Sequence, residues 1–339
     1  MEKISVIIPV HNAEKTIEST LNSLIKQTDS NYEIIVVDDA STDNSVKIAS
    51  KYKLRIFELK EQSGPAYARN FGARNAEGGI VAFTDADCIA ENNWLSLIRK
   101  HIVEKNKEII TGGYKIIASQ SLISRFIGYD HQNHFFKHFH HHTDVVNGGN
   151  FAARKNILMS SPGLEEDIFG ARAAAEDSVL GLILSKKYTI NYQPDIAIQH
   201  IYPDSLPVFL KKSYLRGMTR TVIMIIFREN IKTSKNISYP YIALHIFFSI
   251  FLTAGIICAL YSGKNVYFAG TLLLYLIYVF MNDLLYILKR EKSMPLLIVS
   301  VMILYFRNLC FLAGFVKGII YYCKYNKKFR AKRRAYLSW

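Results

Sequence analysis

Cysteine is scarce and scattered: Cys88, Cys258, Cys310 and Cys323 are the only four in 339 residues. They show no zinc spacing and no disulfide framework, which suits a reducing compartment. Acidic residues nearly vanish from the last third. Residues 233–339 hold 14 Lys and Arg against 2 Asp and Glu, whereas residues 1–232 hold 28 against 26. The formal net charge of +14 is therefore mostly a C-terminal property. A chain basic throughout would point to nucleic acid. Charge gathered beside long uncharged apolar runs points instead to anionic lipid, and no nucleic-acid partner is expected. The N-terminus has too short an apolar run, Ile4 to Ile8 before Pro9, for a signal peptide. The first domain is thus expected on the cytosolic side.

Charge is missing altogether between Lys235 and Lys264. Tyr239 to Tyr261 is therefore long enough to cross a hydrocarbon core of about 30 Å. Val266 to Leu288 is a second candidate, with Asp283 near its end, and Pro295 to Tyr322 is a third, with Arg307 mid-segment and Lys317 beyond it. Two crossings return Lys289-Arg290-Glu291-Lys292 to the cytosol, but a third would place the basic run from Lys324 to Arg334 outside, against the positive-inside rule. The expectation is a multi-pass protein of the cell membrane with two spans and a re-entrant or interfacial third segment. Three full spans are the alternative. Before them, Leu206 to Phe227 mixes Lys211, Lys212, Arg216 and Arg220 with apolar residues at helical spacing, as in a helix lying in the headgroup plane or one packed on the domain. The expected organisation is a first domain over 1–205, interfacial helices over 206–236, a membrane region over 237–322 and a basic tail over 323–339.

Within the first domain, unbroken Val/Ile runs alternate with helical segments. Strands are expected at Ile4–Val10, Tyr32–Val37, Leu54–Leu59, Ile80–Thr84, Ile109–Ile117 and Ala197–His200. Helices are expected near Ala13–Gln27, Asn44–Tyr52, after Gly64-Pro65, and at Ala171–Lys186. This alternation is that of a mostly parallel, doubly wound α/β sheet, which binds ligand outside the carboxyl ends of its strands. Pro9-Val10-His11-Asn12, Asp38-Asp39 and Asp85-Ala86-Asp87 all stand at such ends. Two carboxylates one residue apart can both reach a hard divalent cation that completes its shell with substrate phosphate oxygens.

Four stretches in order, Val6 to Asn12, Val36 to Asp43, Gly64 to Gly72 and Phe83 to Asp87, resemble the motif set of family 2 inverting glycosyltransferases with the GT-A fold. The resemblance covers about residues 1–205. It implies that Pro9, His11 and Asp39 hold the nucleoside, with His11 in place of the more usual Tyr, that Arg69 lies beside the nucleotide, and that Asp85 lies near the ribose and diphosphate. Asp87 would bind Mn²⁺ or Mg²⁺ bridging the diphosphate, and His200 stands where relatives place a further metal ligand. Glu176-Asp177 matches the family's acidic pair, with Glu176 on the acceptor side and Asp177 as the base that takes the acceptor hydroxyl's proton. A hydroxyl needs such a carboxylate within hydrogen-bond reach. Asn150, in Asn147-Gly148-Gly149-Asn150, would face the sugar and acceptor, although a turn closing onto a strand explains the glycines equally well.

The implied donor is a nucleotide sugar, UDP-linked by preference and GDP-linked as the alternative. The implied acceptor is a lipid-linked saccharide or polysaccharide, or polyprenyl phosphate itself. Tyr214-Leu215-Arg216-Gly217 stands where processive relatives carry Gln-x-x-Arg-Trp, so a single transfer is expected. A non-catalytic scaffold on the same fold is the reading of a different class, and the retained Asp85, Asp87 and Asp177 weigh against it. The run from His131 to His142 has no fixed ligand spacing, and is read as a loop over the acceptor or a membrane-contacting segment through Phe135, Phe136 and Phe139.

Overall fold

The fold is taken from a computed structural model that describes residues 2–117, 120–134, 141–166, 176–228 and 239–338. Strands β1 (Ile4–Val10), β2 (Tyr32–Asp38), β3 (Arg55–Glu58) and β4 (Ile80–Thr84) lie parallel in the order β3-β2-β1-β4. Both faces of these apolar runs are covered. Ile4, Val6 and Ile8 pack on the side of α1 (Ile17–Leu24), and Ile7 packs on the side of α3 (Pro65–Asn75). Between them α2 (Ser45–Ala49) is shorter than expected, and Asp43 accepts from the Ser45 amide at 2.9 Å to start it. Strand order reverses at β1, which opens a crevice at the carboxyl ends of β1 and β4.

Strand β9 (Asn150–Arg154) runs antiparallel to β4 and to β6 (Ile109–Thr111), and β10 (Ile190–Tyr192) with β8 (His142–Thr143) completes eight strands. The single strand expected over Ile109–Ile117 is two. Gly112-Gly113 breaks it, because their carbonyls accept from the buried Asn147 and Asn150 amides at 3.0 Å each instead of continuing the ladder. The second piece, β7 (Tyr114–Lys115), joins a small sheet ordered β5-β11-β7 with β5 (Cys88–Ile89) and β11 (Ile198–His200). Helices α4 (Trp94–Arg99), α5 (Leu122–His134), α6 (Lys155–Ser160) and α7 (Glu176–Leu184) fill the remaining faces. Ala171 to Ala175 of the expected helix, and Phe135 to His140 of the His-rich run, lie outside the described residues.

The C-terminal part is helical: α8 (Leu206–Ile226), α9 (Tyr239–Ser262), α10 (Val266–Val279) continued by a π turn into α11 (Leu285–Leu288), α12 (Met294–Lys324) and α13 (Asn326–Ser338). Three stretches are long and apolar enough to cross a membrane, Ala243–Ser262, Val266–Leu288 and Met294–Lys324. The last is one unbroken helix of 31 residues, so the re-entrant form of the third segment is not what the chain adopts. Asp283 is not bare in its apolar segment, since His245 Nε2 lies 2.8 Å from its Oδ2 and the Tyr278 hydroxyl 2.6 Å from His245 Nδ1. Mutual hydrogen bonding is how ionisable groups persist between membrane helices. Helix α8 is covered by protein on two sides, the domain and α12, and the basic tail is a helix with Phe329 and Tyr336 buried against α7.

Candidate active site

The loops after β1 and β2 are laced to each other. The Asn12 amide donates to Ser41 Oγ at 3.0 Å, and Asn12 Oδ1 accepts from the Thr42 amide at 2.8 Å. Asn12 and Ala40 take left-handed φ of 50° and 54°, a conformation costly for side-chain-bearing residues and tolerated where surrounding bonds impose it. Pro9 ends this region in register with Val37. His11 Nδ1 donates to the Asp39 carbonyl at 2.7 Å while its Nε2 accepts from the Asn12 amide group at 3.2 Å, which fixes the neutral tautomer and aims an exposed ring over the crevice rim. The buried Asp39 carboxylate accepts from the Ser63 and Gly64 amides at 2.6 and 2.8 Å. It closes the loop before α3 onto β2 and keeps further acceptor capacity on both oxygens.

Arg69 sits 4% exposed on α3 and joins two carboxylates, Asp85 Oδ1 at 2.6 Å and Glu176 Oε1 at 2.8 Å. Burial opposes its charge, but the Asp85 and Glu176 carboxylates more than offset this and raise its pKa. Arg69, expected beside the nucleotide, and Glu176, expected beside the acceptor, meet in this bridge with Asp85. Asp177, next in the chain, is half-buried, with Oδ1 accepting from the Ser178 amide at 2.6 Å and Oδ2 from the Gly148 amide at 3.1 Å. Gly148-Gly149 is the meeting point. A Cβ on Gly148 would lie 3.3 Å from Asp177 Cβ and 3.4 Å from Arg69 Cζ, and one on Gly149 would collide with the Asp85 carboxylate and the Tyr114 hydroxyl. The two glycines form the turn that closes onto β9, with the Asn150 amide donating to the Asn147 carbonyl at 2.8 Å, and since neither has positive φ it is the close approach of these side chains that calls for glycine there.

Asp87 faces the other way. In the small sheet Cys88 of β5 pairs with His200 of β11, which brings His200 Nε2 to 3.5 Å from Asp87 Oδ1. That separation is long for a hydrogen bond and matches two ligands of one hard cation, whose metal–oxygen distances are about 2.1 Å. A carboxylate and a neutral imidazole are also the donors such an ion accepts. Cys88 Sγ completes the cluster within 4.8 Å, yet burial raises its pKa well above the ordinary value and holds a neutral thiol, so it is a poor ligand. His200 stacks on Tyr202 at 4.3 Å and meets Tyr114 edge-on at 4.7 Å. Tyr202 in turn lies 3.3 Å from Nδ1 of the half-buried His131, whose pKa desolvation, then nearby Arg216 and His200, push well below the usual imidazole value. Tyr114, Tyr202 and His131 carried no signal in the sequence beyond the bare histidine run.

Asn150 is a correction. It is 0% exposed, accepts from Trp94 Nε1 at 3.1 Å and donates to the Gly113 and Ile196 carbonyls at 3.0 Å each, so its amide is fully used in the core and reaches no substrate surface.

Residues 5–157 match the family model described as Glycosyl transferase family 2. Over 118 residues the chain is 33% identical to glycosyltransferase GlyG of Streptococcus pneumoniae, covering 33% of this chain and 39% of that protein. Over 127 residues it is 34% identical to the UDP-Glc:alpha-D-GlcNAc-diphosphoundecaprenol beta-1,3-glucosyltransferase WfgD of Escherichia coli, covering 37% and 50% respectively. The chain thus spans half or less of the length of these relatives. Among solved structures, mannosyltransferase PcManGT of Pyrobaculum calidifontis, in complex with GDP-Man and Mn²⁺, superposes with a TM-score of 0.63 over 94% of this chain and 87% of that one, at 18% identity. The likeness is one of fold.

Proposed function

Residues 5–157 are a family 2 glycosyltransferase domain, and from this premise we propose that the protein is a membrane-anchored inverting glycosyltransferase. It moves one sugar from a nucleotide-diphosphate sugar to an acceptor presented at the membrane face, with the catalytic domain in the cytosol. The observation that carries this reading is convergence on Gly148-Gly149. Asp177 touches one glycine, and Asp85 and Tyr114 touch the other, with the Tyr114 ring against His200 of the Asp87 pair.

Asp177 is the base. Held by the Gly148 and Ser178 amides, it keeps lone pairs free to accept the acceptor hydroxyl's proton as that oxygen attacks the sugar. A single displacement with one base inverts the anomeric centre. Arg69 and Glu176 position Asp85 and the start of α7, and do not touch substrate. His11 and Asp39 receive the nucleoside at the rim. Asp87 and His200 would hold Mn²⁺ or Mg²⁺, which supplies charge stabilisation to the leaving diphosphate. Both UDP- and GDP-linked donors remain in play: WfgD is named for UDP-Glc, and PcManGT was solved with GDP-Man and Mn²⁺. A lipid-linked saccharide is the favoured acceptor, as the name of WfgD has it for that enzyme.

Transfer to polyprenyl phosphate itself is the second reading. The half-buried Arg216 on α8 favours it, since it makes no ion pair or hydrogen bond among the described residues and lies near enough to His131 to lower its pKa. If Lys211→Ala/Arg216→Ala abolishes transfer and spares nucleotide binding, this reading gains; an unchanged rate removes it.

The test of the main reading is calorimetric binding of UDP, GDP and their sugars to detergent-purified protein, with and without Mn²⁺. Metal-dependent binding of one nucleotide by the wild type, lost in Asp87→Asn, is expected. No binding by folded wild type under any metal condition overturns it.

A further inference from the structure

Three apolar helices invite a count of three crossings, and the packing argues against it. We propose that only the hairpin of α9 with α10–α11 crosses the bilayer, and that α12 lies in the plane of the membrane surface, with its buried side against α5, α8 and the hairpin, where Asn308 donates to Ser249 Oγ at 3.0 Å, and its opposite side in lipid. The proposal rests on the membrane-anchored reading above and deepens it.

Helix α8 is fastened to the domain at both ends. Near its start Phe209 meets Phe126 of α5 at 6.0 Å. At its end Val222, Ile223 and Phe227 are buried with Val179, Leu182 and Ile183 of α7. Its 21 residues, about 31 Å of helix, therefore run along the domain. The second half of α12 is joined to α8 backbone to backbone. A Cβ on Gly217 would collide with the Phe311 carbonyl, one on Gly314 with the Tyr214 carbonyl, and one on Gly318 would lie 2.6 Å from the Met218 carbonyl. Contacts 214 to 314 and 218 to 318 advance in step, so the helices run parallel. Glycines four apart allow such approach.

The first half of α12 is tied as well. Glu291, just before it, pairs with Arg125 of α5 at 2.5 Å and accepts from the Tyr129 hydroxyl at 3.1 Å. Arg307, midway along α12, pairs with Asp130 of the same helix. A helix held to α5 at its start and middle and to α8 along its second half, when α8 is itself fastened to the domain at both ends, cannot also traverse about 30 Å of hydrocarbon.

Parity gives the same answer. Helix α13 follows α12 and docks on the domain through Phe329 and Tyr336, with Lys186 Nζ donating to the Tyr336 carbonyl at 2.9 Å and Lys332 lying 3.6 Å from Glu165. Both sides of the membrane region therefore end on the catalytic side, which demands an even number of crossings. The hairpin supplies two.

The outer surface of α12 fits this placement. Ile298, Met302, Phe306, Val316 and Ile320 are exposed on one face, while Leu296, Ser300, Leu304, Asn308 and Gly318 are buried on the other. An apolar stripe at helical spacing is the face an in-plane helix sinks among acyl chains.

The test is depth. Ile298→Cys, Met302→Cys, Phe306→Cys, Val316→Cys and Ile320→Cys would be spin-labelled one at a time in full-length protein lacking Cys258, Cys310 and Cys323, reconstituted in phosphatidylethanolamine/phosphatidylglycerol vesicles. Ile250→Cys, exposed midway along α9, is the deep control, Arg333→Cys reports the side of the tail, and nucleotide binding reports an intact domain. Expected are equal depths for the five labels within one helix diameter, about 10 Å, and a tail label reduced by impermeant ascorbate from the side that binds nucleotide. Depths that progress by about 33 Å from 298 to 320, or a tail on the opposite side, overturn the proposal. Spin–spin broadening along the stripe without oxygen access assigns that face to a second copy and overturns the lipid contact. An Ile250 label that reads solvent would sink the membrane-anchored reading itself, an outcome distinct from a wrongly placed α12.

Discussion

Asp85 and Asp87 stand two residues apart and belong to clusters built in opposite ways. Asp85 turns to the buried Arg69, which is bound on its other side by the buried Glu176, so one guanidinium is shared by two carboxylates. Asp87, about a third exposed, faces Nε2 of His200 3.5 Å away, a separation long for a hydrogen bond. The closed cluster spends its charge on shape, joining α3, the end of β4 and the start of α7. The open one keeps its coordinating capacity for something outside the chain. Two aspartates of one turn thus meet different partners, a buried guanidinium in one case and an imidazole in the other.

The comparison breaks most visibly at Arg69. Arg69→Ala strands a buried Glu176 without its cation, and a loss of about 3–5 kcal/mol is expected, read as a large fall in the thermal midpoint in detergent. A midpoint near wild type would mean the bridge is not structural. Asp177→Asn, one residue beyond that bridge, should lower the transfer rate about 10²–10⁴-fold with nucleotide affinity and melting unchanged. A matching loss of nucleotide binding would remove Asp177 from the role of base.

Asp87→Asn tests the open cluster, and metal-dependent nucleotide binding should disappear while the midpoint stays put. A fall like that of Arg69→Ala would show the two clusters to be alike after all. Asn150→Ala removes three core hydrogen bonds and should cost about 1–3 kcal/mol, leaving KM for donor and acceptor unchanged in the folded fraction. The smallest effect is one of pH. Burial, with Arg216 and His200 nearby, depresses the pKa of His131, so the folded protein refuses a proton that the unfolded chain accepts near pH 6.5. Its contribution is complete above that pH and is lost as the pH falls below it, and His131→Gln should flatten this acid-side loss in a pH series of melting curves.

Much of this was written locally. The parallel strands β1, β2 and β4 coincide with unbroken Val/Ile runs, because burial on both faces selects such residues, and the polar strand ends fell in one crevice because parallel strands end together. Asn150 misled for the converse reason: an amide beside two glycines looks the same in sequence whether it faces substrate or, as here, Trp94 and two core carbonyls. Arg69 was legible as a residue at the site but not as a bridge, since its partners Asp85 and Glu176 are 16 and 107 residues away. The apolar character of α12 was equally plain, while the glycine contacts that bind it to α8 depend on a register that composition does not encode.

The sequence by itself determined the α/β architecture of the first domain, the loops where a nucleotide would sit, and the apolar stretches of the last third, because each follows from side-chain periodicity over a few turns or strands. Only the tertiary structure decided that His200 stands beside Asp87, that Gly148-Gly149 joins the base candidate to the metal pair, and that α13 folds back on α7. These are contacts between chain segments tens to hundreds of residues apart, and their energies depend on distances that exist only once the sheet and its helices are packed.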